Sequence, residues 1–213
     1  MDGTNGPNQE SITMQTTTSA TEHFADYSKR LQAVLATSDW SGVTQLANDM
    51  LVCWQEGRRV FLCGNGGSAG NAIHLANDFL YGIAKHSGGG LKALALSDNA
   101  AVITCLANDL GYEHIFSEQL AVQAQKSDLL IALSGSGNSL NIVRVIEQAK
   151  TMGVKSFAVL GFTGGECKRL ADVPIHFPVN DMQIAEDLQI IVGHMLMQWL
   201  YANRSLTNST AKI

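Results

Sequence analysis

Residues 128–150, DLLIALSGSGNSLNIVRVIEQAK, contain the unit that decides the fold. The run DLLIALS is short and apolar and ends at a Ser-Gly pair, which is typical of a strand buried on both faces of a parallel sheet. A polar loop follows, and NIVRVIEQAK then spaces its apolar side chains as an amphipathic helix does. A strand, a loop and a helix in this order predict one repeating unit of a parallel α/β sheet.

Four more short apolar runs of the same kind occur along the chain, namely RVFLCG (59–64), KALALS (92–97), KSFAVLGF (155–162) and VPIHFPV (173–179). Segments with helical spacing lie between and after the runs, at about 68–84, 99–110, 113–126, 139–152, 165–171 and 181–204. Five such units predict a three-layer α/β sandwich around a five-stranded parallel sheet, in the flavodoxin-like order 2-1-3-4-5 or a Rossmann-like variant. Pro174 and Pro178 place the last strand at a sheet edge, because proline cannot donate a ladder hydrogen bond.

The N-terminal part has a different character. Residues 1–20 are polar and offer almost nothing to bury, so we expect a flexible tail there. Two amphipathic helices are predicted next, over about 21–37 and 43–54. The whole chain of 213 residues is the size of one domain, which we place at 21–206, and a short second tail is expected at 207–213.

Composition and charge exclude several classes of partner. The net charge is −5 and no run of Lys or Arg exceeds two residues, so neither nucleic acid nor an anionic membrane is an expected partner. No apolar stretch reaches the length of a membrane span and no leader sequence is recognisable, which favours a cytoplasmic protein. Charged residues make up 15% of the chain, against about 25% in an average domain, so we expect an oligomer that covers part of its own surface.

The cysteines predict neither a disulfide framework nor a cysteine zinc site. The chain has four, which lie far apart and form no CxxC pair: Cys53, Cys63, Cys105 and Cys167. Three of them sit inside apolar segments, as buried and reduced thiols do.

Two loops are the candidates for ligand binding. In the order 2-1-3-4-5 the sheet changes its direction of winding between strands 1 and 3, and ligands bind outside the carboxyl ends of those strands. The loops there are GNGGSAG (64–70) and SGSGNS (134–139), and each leads into a helix. Backbone amides at a helix start, together with hydroxyl groups, bind a phosphate without needing Lys or Arg. The pair of loops therefore predicts a small phosphorylated ligand.

Each loop also has a purely structural interpretation. The glycines of the first loop are compatible with a tight turn alone, and Ser139 of the second with an ordinary helix N-cap. The first loop misses the dinucleotide fingerprint GxGxxG by one position, and no acidic residue ends a strand about 20 residues later. A nicotinamide cofactor is therefore not expected.

Two pairs of ionisable residues are candidates for metal binding or proton transfer. His74 and Asp78 are four residues apart in one predicted helix, so their side chains share a face. Glu186 and His194 are eight residues apart in the last helix, which is apolar nearly all round. A histidine in such a helix is also compatible with an ordinary hydrogen-bonded core position.

Several segments carry a family resemblance, in the right order and over about residues 20–203. They are GNGGSAGNAIHLANDF (64–79), ANDLGYEHIFS (107–117), SGSGNSLNIV (134–143), AVLGFTGGECKRLADVPIHFP (158–178) and AEDLQIIVGHMLMQWL (185–200). Together they resemble the sugar isomerase (SIS) domain, and within it the phosphoheptose isomerase group. The resemblance implies the SIS fold and a homotetrameric cytosolic enzyme that interconverts sedoheptulose 7-phosphate and glycero-manno-heptose 7-phosphate, for lipopolysaccharide or other surface glycans.

The resemblance also implies a role for individual residues. The substrate phosphate falls on Ser134, Gly135, Ser136 and Ser139. The remaining substrate-binding positions are Asn65, Gly66, Gly67, Ser68, Asp78, Asn108, Asp109 and Glu186. One zinc ion per subunit is implied at His74, Asp78, Glu186 and His194, with Asp78 and His194 as the catalytic acid/base pair and no nucleotide cofactor. Aldose-ketose isomerisation through an enediol needs one acid and one base, which a carboxylate and an imidazole supply.

The chain departs from the family pattern at several positions. Asp78 stands where the family usually has Glu, Glu186 where it has Gln, Gly135 where Thr is frequent, and Gln183 where Asp is common. The alternative function is that of a non-catalytic SIS-domain tetramer, acting in replication initiation or in sugar-phosphate sensing. Such a protein has no need for the four ionisable candidates to coexist, and for that reason we favour the isomerase.

Overall fold

The computed structural model describes residues 19–85 and 88–207, so the tails expected at 1–20 and 207–213 lie almost entirely outside the described residues. The described chain divides after Thr37 into two compact units. The first contains helix α1 (Ala20–Thr37), which begins with a reciprocal cap. Glu22 N donates to Ser19 Oγ at 3.3 Å and Ser19 N donates to the Glu22 carboxylate at 3.0 Å, which satisfies free donors at the helix start.

The second unit is built on one parallel sheet. Its strands are β1 (Arg59–Cys63), β2 (Lys92–Ala95), β3 (Leu129–Ser134), β4 (Lys155–Leu160) and β5 (Val173–His176). They pair in the order β2-β1-β3-β4-β5, and every pair is parallel, which confirms the predicted flavodoxin-like order. Strand β5 lies at the edge, as Pro174 predicts. The central strand β3 is buried along its whole length.

The described residues of this unit form seven α-helices: α2 (Ser41–Gln55), α3 (Gly67–Leu80), α4 (Ala100–Asp109), α5 (Ser117–Gln123), α6 (Leu140–Met152), α7 (Gly165–Leu170) and α8 (Met182–Ala202). Helices α2 and α3 pack against β1 and against α8, while α6 packs against β3, β4, α5 and α7. Successive strand residues point to opposite faces. Phe61 and Leu130 therefore enter the core beneath α5 and α6, while Leu62 and Leu133 face Leu75 and α8.

The helix predicted over 68–84 was too long at its end. Helix α3 ends at Leu80, and a 3-10 turn follows at Gly82–Ala84. The chain returns against the helix end, where Leu91 N donates to Phe79 O at 3.0 Å. That bond occupies the carbonyl that a further helical turn would use.

The helix predicted over 113–126 was wrong at both ends. Its start is a 3-10 turn at Tyr112–His114, and the α-helix covers only Ser117–Gln123. Ala124 is extended, and Gln125 N donates to the Asp128 carboxylate at 2.8 Å instead of continuing the helix.

The thiol and membrane predictions have clear structural outcomes. Cys53, Cys63 and Cys167 are buried, Cys105 is exposed, and all four are free, so the expectation of buried reduced thiols holds for three. Across residues 19–85 and 88–207, no helix has the length and apolar character needed to cross a membrane.

Candidate active site

The two predicted loops form one cavity at the carboxyl ends of β1 and β3. It has a volume of about 270 Å³, and its walls come from residues 65–68, 133–136 and 139, together with Met182 and Glu186 at the start of α8. This is the position that the strand order predicts for a ligand. The cavity contains the residues expected to hold a phosphate, Ser134, Gly135, Ser136 and Ser139, beside the glycines of the first loop.

The hydroxyl groups of Ser134 and Ser136, in the cavity wall, accept hydrogen bonds from backbone amides of their own loop. Ser134 Oγ accepts from Gly137 N at 3.0 Å, and Ser136 Oγ accepts from Asn138 N at 3.3 Å. Each hydroxyl oxygen is thus engaged as an acceptor, and its proton is available to a ligand oxygen. Ser139 occupies the N-cap position of α6 but makes no side-chain cap bond, which contradicts the interpretation of Ser139 as an ordinary cap.

Tight backbone packing holds the second loop in place. Gly137 has φ +69°, and a β-carbon there would overlap the carbonyl oxygen of Gly164. Gly135 approaches α8 closely, since a β-carbon on it would lie 2.5 Å from Met182 Sδ. Met182 therefore fills the space that a side chain would take at the position where Thr is frequent in the family.

The glycines of the first loop allow a close approach between two helices. Gly66 has φ +55° and turns the chain into α3. At Gly67, a β-carbon would overlap the carboxylate of Glu186 on α8. The loop therefore does more than turn, because its lack of side chains brings the Glu186 carboxylate to the cavity wall.

Three polar side chains clamp the first loop to the start of α6. Asn65 Nδ2 donates to Asn141 Oδ1 at 2.8 Å, and Asn141 Nδ2 donates back to Asn65 Oδ1 at 2.8 Å. The hydroxyl of Tyr112 also donates to Asn65 Oδ1, at 3.0 Å. Asn141 is buried and Asn65 is half-buried, so this amide pair is partly shielded from water and ties the two ligand loops together.

A second cluster lies on the facing surfaces of α3 and α8. His74 Nε2 and His194 Nε2 are 3.0 Å apart, and Asp78 Oδ2 is 3.4 Å from the first and 3.6 Å from the second. Both imidazoles are about half exposed, while the Asp78 side chain is 17% exposed. Three of the four predicted metal ligands, including both members of the predicted catalytic pair, are thus in contact.

The cluster fits a small divalent metal ion in donor type and spacing. Two imidazole nitrogens and a carboxylate oxygen are a common zinc donor set, and three protein ligands leave a position for substrate or water. Donors about 2.1 Å from a tetrahedral zinc ion are about 3.4 Å from each other. The three distances here lie near that value. Glu186, the fourth predicted ligand, lies in the cavity wall beside Gly67 and not in this group.

Cavity and cluster are carried by the same two helices, which run in parallel. Gly67 meets Glu186 near their starts, and Leu75 meets Gly193 further along. His74 comes seven residues after Gly67, which is about 11 Å along the helix axis. A ligand that touches both regions must therefore be extended.

The structure does not bring Asn108 and Asp109 to the cavity wall within one chain. Both lie in the last turn of α4, where Asn108 Nδ2 donates to Asp109 Oδ1 at 2.8 Å. The Asp109 carboxylate also accepts from the Cys105 thiol at 3.5 Å, which raises the pKa of that thiol. Their expected substrate contact stays a prediction.

Sequence reasoning did not identify the polar residues that support the site. Asn141 and Gln189 are both nearly inaccessible to solvent. A polar residue in a helix that is apolar nearly all round needs a partner, and that requirement is the signal that could have singled out Gln189. The partners themselves are far away in sequence, and no spacing rule predicts them.

Comparison with known proteins places the chain in a family. Residues 23–161 match the SIS domain. A phosphoheptose isomerase from Akkermansia muciniphila is 38% identical over 175 residues, which span 82% of this chain and 89% of that protein. A phosphoheptose isomerase from Aneurinibacillus thermoaerophilus is 36% identical over 154 residues, which span 72% of this chain and 77% of that protein.

Solved structures show the same relationship. The phosphoheptose isomerase GmhA from Neisseria gonorrhoeae superposes with a TM-score of 0.77 at 27% identity, over 85% of this chain and 96% of that one. A phosphoheptose isomerase from Francisella tularensis superposes with a TM-score of 0.78 at 24% identity, a likeness that shows the fold alone.

Proposed function

The chain belongs to the SIS domain family, within its phosphoheptose isomerase group, and from that premise we propose that it interconverts sedoheptulose 7-phosphate and glycero-manno-heptose 7-phosphate. The observation that carries the proposal is the pairing of two regions on α3 and α8. A cavity of hydroxyl groups and helix-start amides lies at one end, and the cluster of His74, Asp78 and His194 lies further along.

The distance between these regions favours this substrate class. In a heptose 7-phosphate the phosphate and the reacting carbons, C1 and C2, are at opposite ends of the sugar. With its phosphate on the hydroxyls of Ser134, Ser136 and Ser139, such a sugar has length to extend towards the cluster. A shorter sugar phosphate has less chain with which to cover the roughly 11 Å between Gly67 and His74.

The proposed chemistry is a proton transfer through an enediol. One group removes a proton from C1 of the ketose and returns a proton to C2, while a second moves a proton between O2 and O1. We assign these transfers to Asp78 and His194, whose Oδ2 and Nε2 atoms are 3.6 Å apart. Their partial shielding between two helices supports this role, because proton transfer needs fixed partners.

Zinc is the metal that we propose for the cluster. His74, Asp78 and His194 would hold it, while Glu186, the fourth ligand that the resemblance implies, lies in the cavity wall. When bound, a zinc ion polarises an oxygen of the substrate and so stabilises the charge that develops on it. His74 is assigned to metal binding alone, so a variant of His74 distinguishes metal binding from proton transfer.

The proposal includes assembly into a homotetramer in the cytoplasm. Exposed apolar side chains on α8, namely Met195, Trp199 and Tyr201, support an oligomer. The molar mass of the native protein by light scattering tests this part, and a monomer would contradict it.

The decisive experiment is turnover of sedoheptulose 7-phosphate by purified protein, with and without added zinc. The Asp78→Asn variant keeps the side-chain shape and removes the charge, so we expect it to lose at least about 100-fold in kcat. Glu147→Gln, in an exposed i,i+3 ion pair on α6, is the matched control and should keep full activity. Wild-type protein that binds the sugar phosphate without converting it would favour the sensing alternative.

A further inference from the structure

Gln189 is an uncharged polar side chain in the buried interface between α8 and α3. It is 1% exposed, and its neighbours around the same small void include Leu75, Val192 and Leu196. Burying an amide costs free energy unless both of its ends are hydrogen-bonded. Both ends of the Gln189 amide are hydrogen-bonded. One end is bonded to Asn71, which is bonded in turn to the backbone carbonyl of Glu186, and the other end is bonded to Ser68 in the cavity wall.

The direction of each bond follows from one fixed acceptor. The backbone oxygen of Glu186 only accepts, and it lies 3.0 Å from Asn71 Nδ2, so Asn71 must present its NH₂ group to it. The same nitrogen lies 3.0 Å from the amide of Gln189, so Gln189 must present Oε1 there. The NH₂ group of Gln189 therefore faces the hydroxyl of Ser68, at 3.0 Å.

This chain of bonds determines what the Ser68 hydroxyl can do. Its oxygen accepts from Gln189 Nε2, so its own proton must be directed elsewhere. A serine proton near a helix start often goes to the carbonyl four residues back, but among the described residues the hydroxyl that donates to Gly64 O is that of Ser97, at 3.1 Å. Over residues 19–85 and 88–207, no protein acceptor is found for the Ser68 proton, and Ser68 lines the ligand cavity.

We propose that Gln189 is a positioning residue that presets Ser68 as a hydrogen-bond donor towards the bound sugar phosphate. Asn71 fixes the orientation of the Gln189 amide, and Gln189 fixes the hydroxyl. The inference rests on the proposed function for the identity of the ligand. A donor that is oriented before binding loses less freedom when the ligand arrives, so the relay contributes to affinity rather than to the proton transfers.

Two variants of Gln189 change the relay in different ways. Gln189→Glu replaces the NH₂ group with a second carboxylate oxygen. The oxygen at the original Oε1 position still accepts from Asn71, but the new oxygen makes Ser68 donate to it, away from the cavity. Gln189→Met keeps a similar volume and removes the donor without adding charge. We expect KM for sedoheptulose 7-phosphate to rise about tenfold for Gln189→Glu and about threefold for Gln189→Met, with kcat changed less than twofold.

A double-mutant cycle with Ser68→Ala separates this role from a merely structural one. Without the hydroxyl there is nothing for Gln189 to orient, so both Gln189 variants should leave KM in the Ser68→Ala background within about twofold. A rise that persists in that background would arise from added charge or altered packing and would overturn the proposal. A KM equal to that of the wild-type protein in both single variants of Gln189 would also overturn the proposal.

Three further measurements keep the result decisive. The melting temperature shows which variants fold, and Gln189→Met alone completes the cycle if the buried carboxylate of Gln189→Glu does not fold. Wild-type turnover is measured first, and its absence would contradict the proposed function alone. The same cycle is then measured through the Kd of sedoheptulose 7-phosphate by calorimetry, which needs no turnover and where coupling between the two positions is again the expected result.

Discussion

Gly193 of α8 lies directly against Leu75 of α3. A β-carbon on Gly193 would overlap Cγ and both methyl carbons of the Leu75 side chain, which is itself buried. The next residue after Gly193 is His194, and the residue before Leu75 is His74. The missing side chain therefore sets the helix separation that allows the two imidazoles to approach within 3.0 Å.

Replacing Gly193 with alanine should disturb this cluster. Alanine gains about 1 kcal/mol of helix propensity over glycine, but overpacking a filled core costs about 1–3 kcal/mol. We expect a net loss of about 1 kcal/mol in the free energy of unfolding and a weaker metal affinity, measured by denaturant titration and by zinc content. Gly70→Ala in α3 is the control, because a β-carbon there meets nothing within 4 Å. If Gly193→Ala bound zinc as well as Gly70→Ala, the separation would not matter to the cluster.

Variants of His74 and His194 distinguish metal binding from proton transfer. Zinc at 100 times its Kd should stabilise the wild-type protein by about 2.7 kcal/mol, and His74→Ala should lose most of that shift at the same zinc concentration. Excess zinc should restore part of the turnover of His74→Ala but none of that of His194→Ala. Thermal unfolding and activity over a zinc series measure both effects, with His23→Ala on α1 as the control. Equal rescue of both variants would remove His194 from the proton transfers.

The thiols predict a simple pattern of reactivity. Burial raises the pKa of Cys53 and of Cys167 to about 12 and raises that of Cys63 further. Because the thiolate is the reactive form, a maleimide at pH 8 should modify one thiol per folded chain, Cys105, and all four after denaturation. Rapid labelling of Cys105→Ser in its folded form would contradict the burial of the other three.

Asp109 should control the rate at which a maleimide modifies Cys105. The hydrogen bond to its carboxylate, and then its charge, raise the pKa of the Cys105 thiol. Asp109→Asn removes the charge and should lower that pKa, so that more thiolate is present at pH 8 and labelling is faster. The labelling rate of Asp109→Asn between pH 7 and pH 9 measures this, and a rate equal to that of the wild type at every pH would show that Asp109 does not act on the thiol.

The sheet was predictable because each strand carries its own signal. Apolar runs such as DLLIALS end at glycine or serine, and the rules for parallel sheets then leave few strand orders. The ends of α3 and α5 were not predictable in this way. They depend on bonds such as Leu91 N to Phe79 O, between residues whose proximity is a property of the folded chain.

The site was predictable only as separate pieces. Helical spacing places His74 and Asp78 on one face, since both lie in one helix. The contact between His74 and His194 joins residues that are 120 positions apart and depends on the small size of Gly193. For the same reason Glu186, which helical spacing associates with His194, lies in the cavity wall instead. Spacing within one helix predicts the face on which a side chain lies, whereas the packing of side chains in the core sets the distance between two helices.

Asn141 should control the geometry of the ligand cavity through Asn65. Asn141→Ala removes both bonds of the amide pair and leaves the polar atoms of Asn65 with only the Tyr112 hydroxyl. Loss of a buried hydrogen-bonded pair costs about 1–3 kcal/mol, so we expect a lower melting temperature and a KM for sugar phosphate raised by about tenfold. Tyr112→Phe removes one bond at an exposed position and should raise KM less.

Asn141→Asp tests the direction of the amide pair. The carboxylate still accepts from Asn65 Nδ2 but faces Asn65 Oδ1 without a donor, so two oxygen atoms meet at a position where 2.8 Å separates donor and acceptor in the native protein. We expect Asn141→Asp to raise KM at least as much as Asn141→Ala, although it keeps the side-chain volume, since an unpaired buried charge is costlier than a small void. Steady-state kinetics of both variants decide this. If Asn141→Asp instead behaved like the wild type, the side chain of Asn65 would not hold the two loops together.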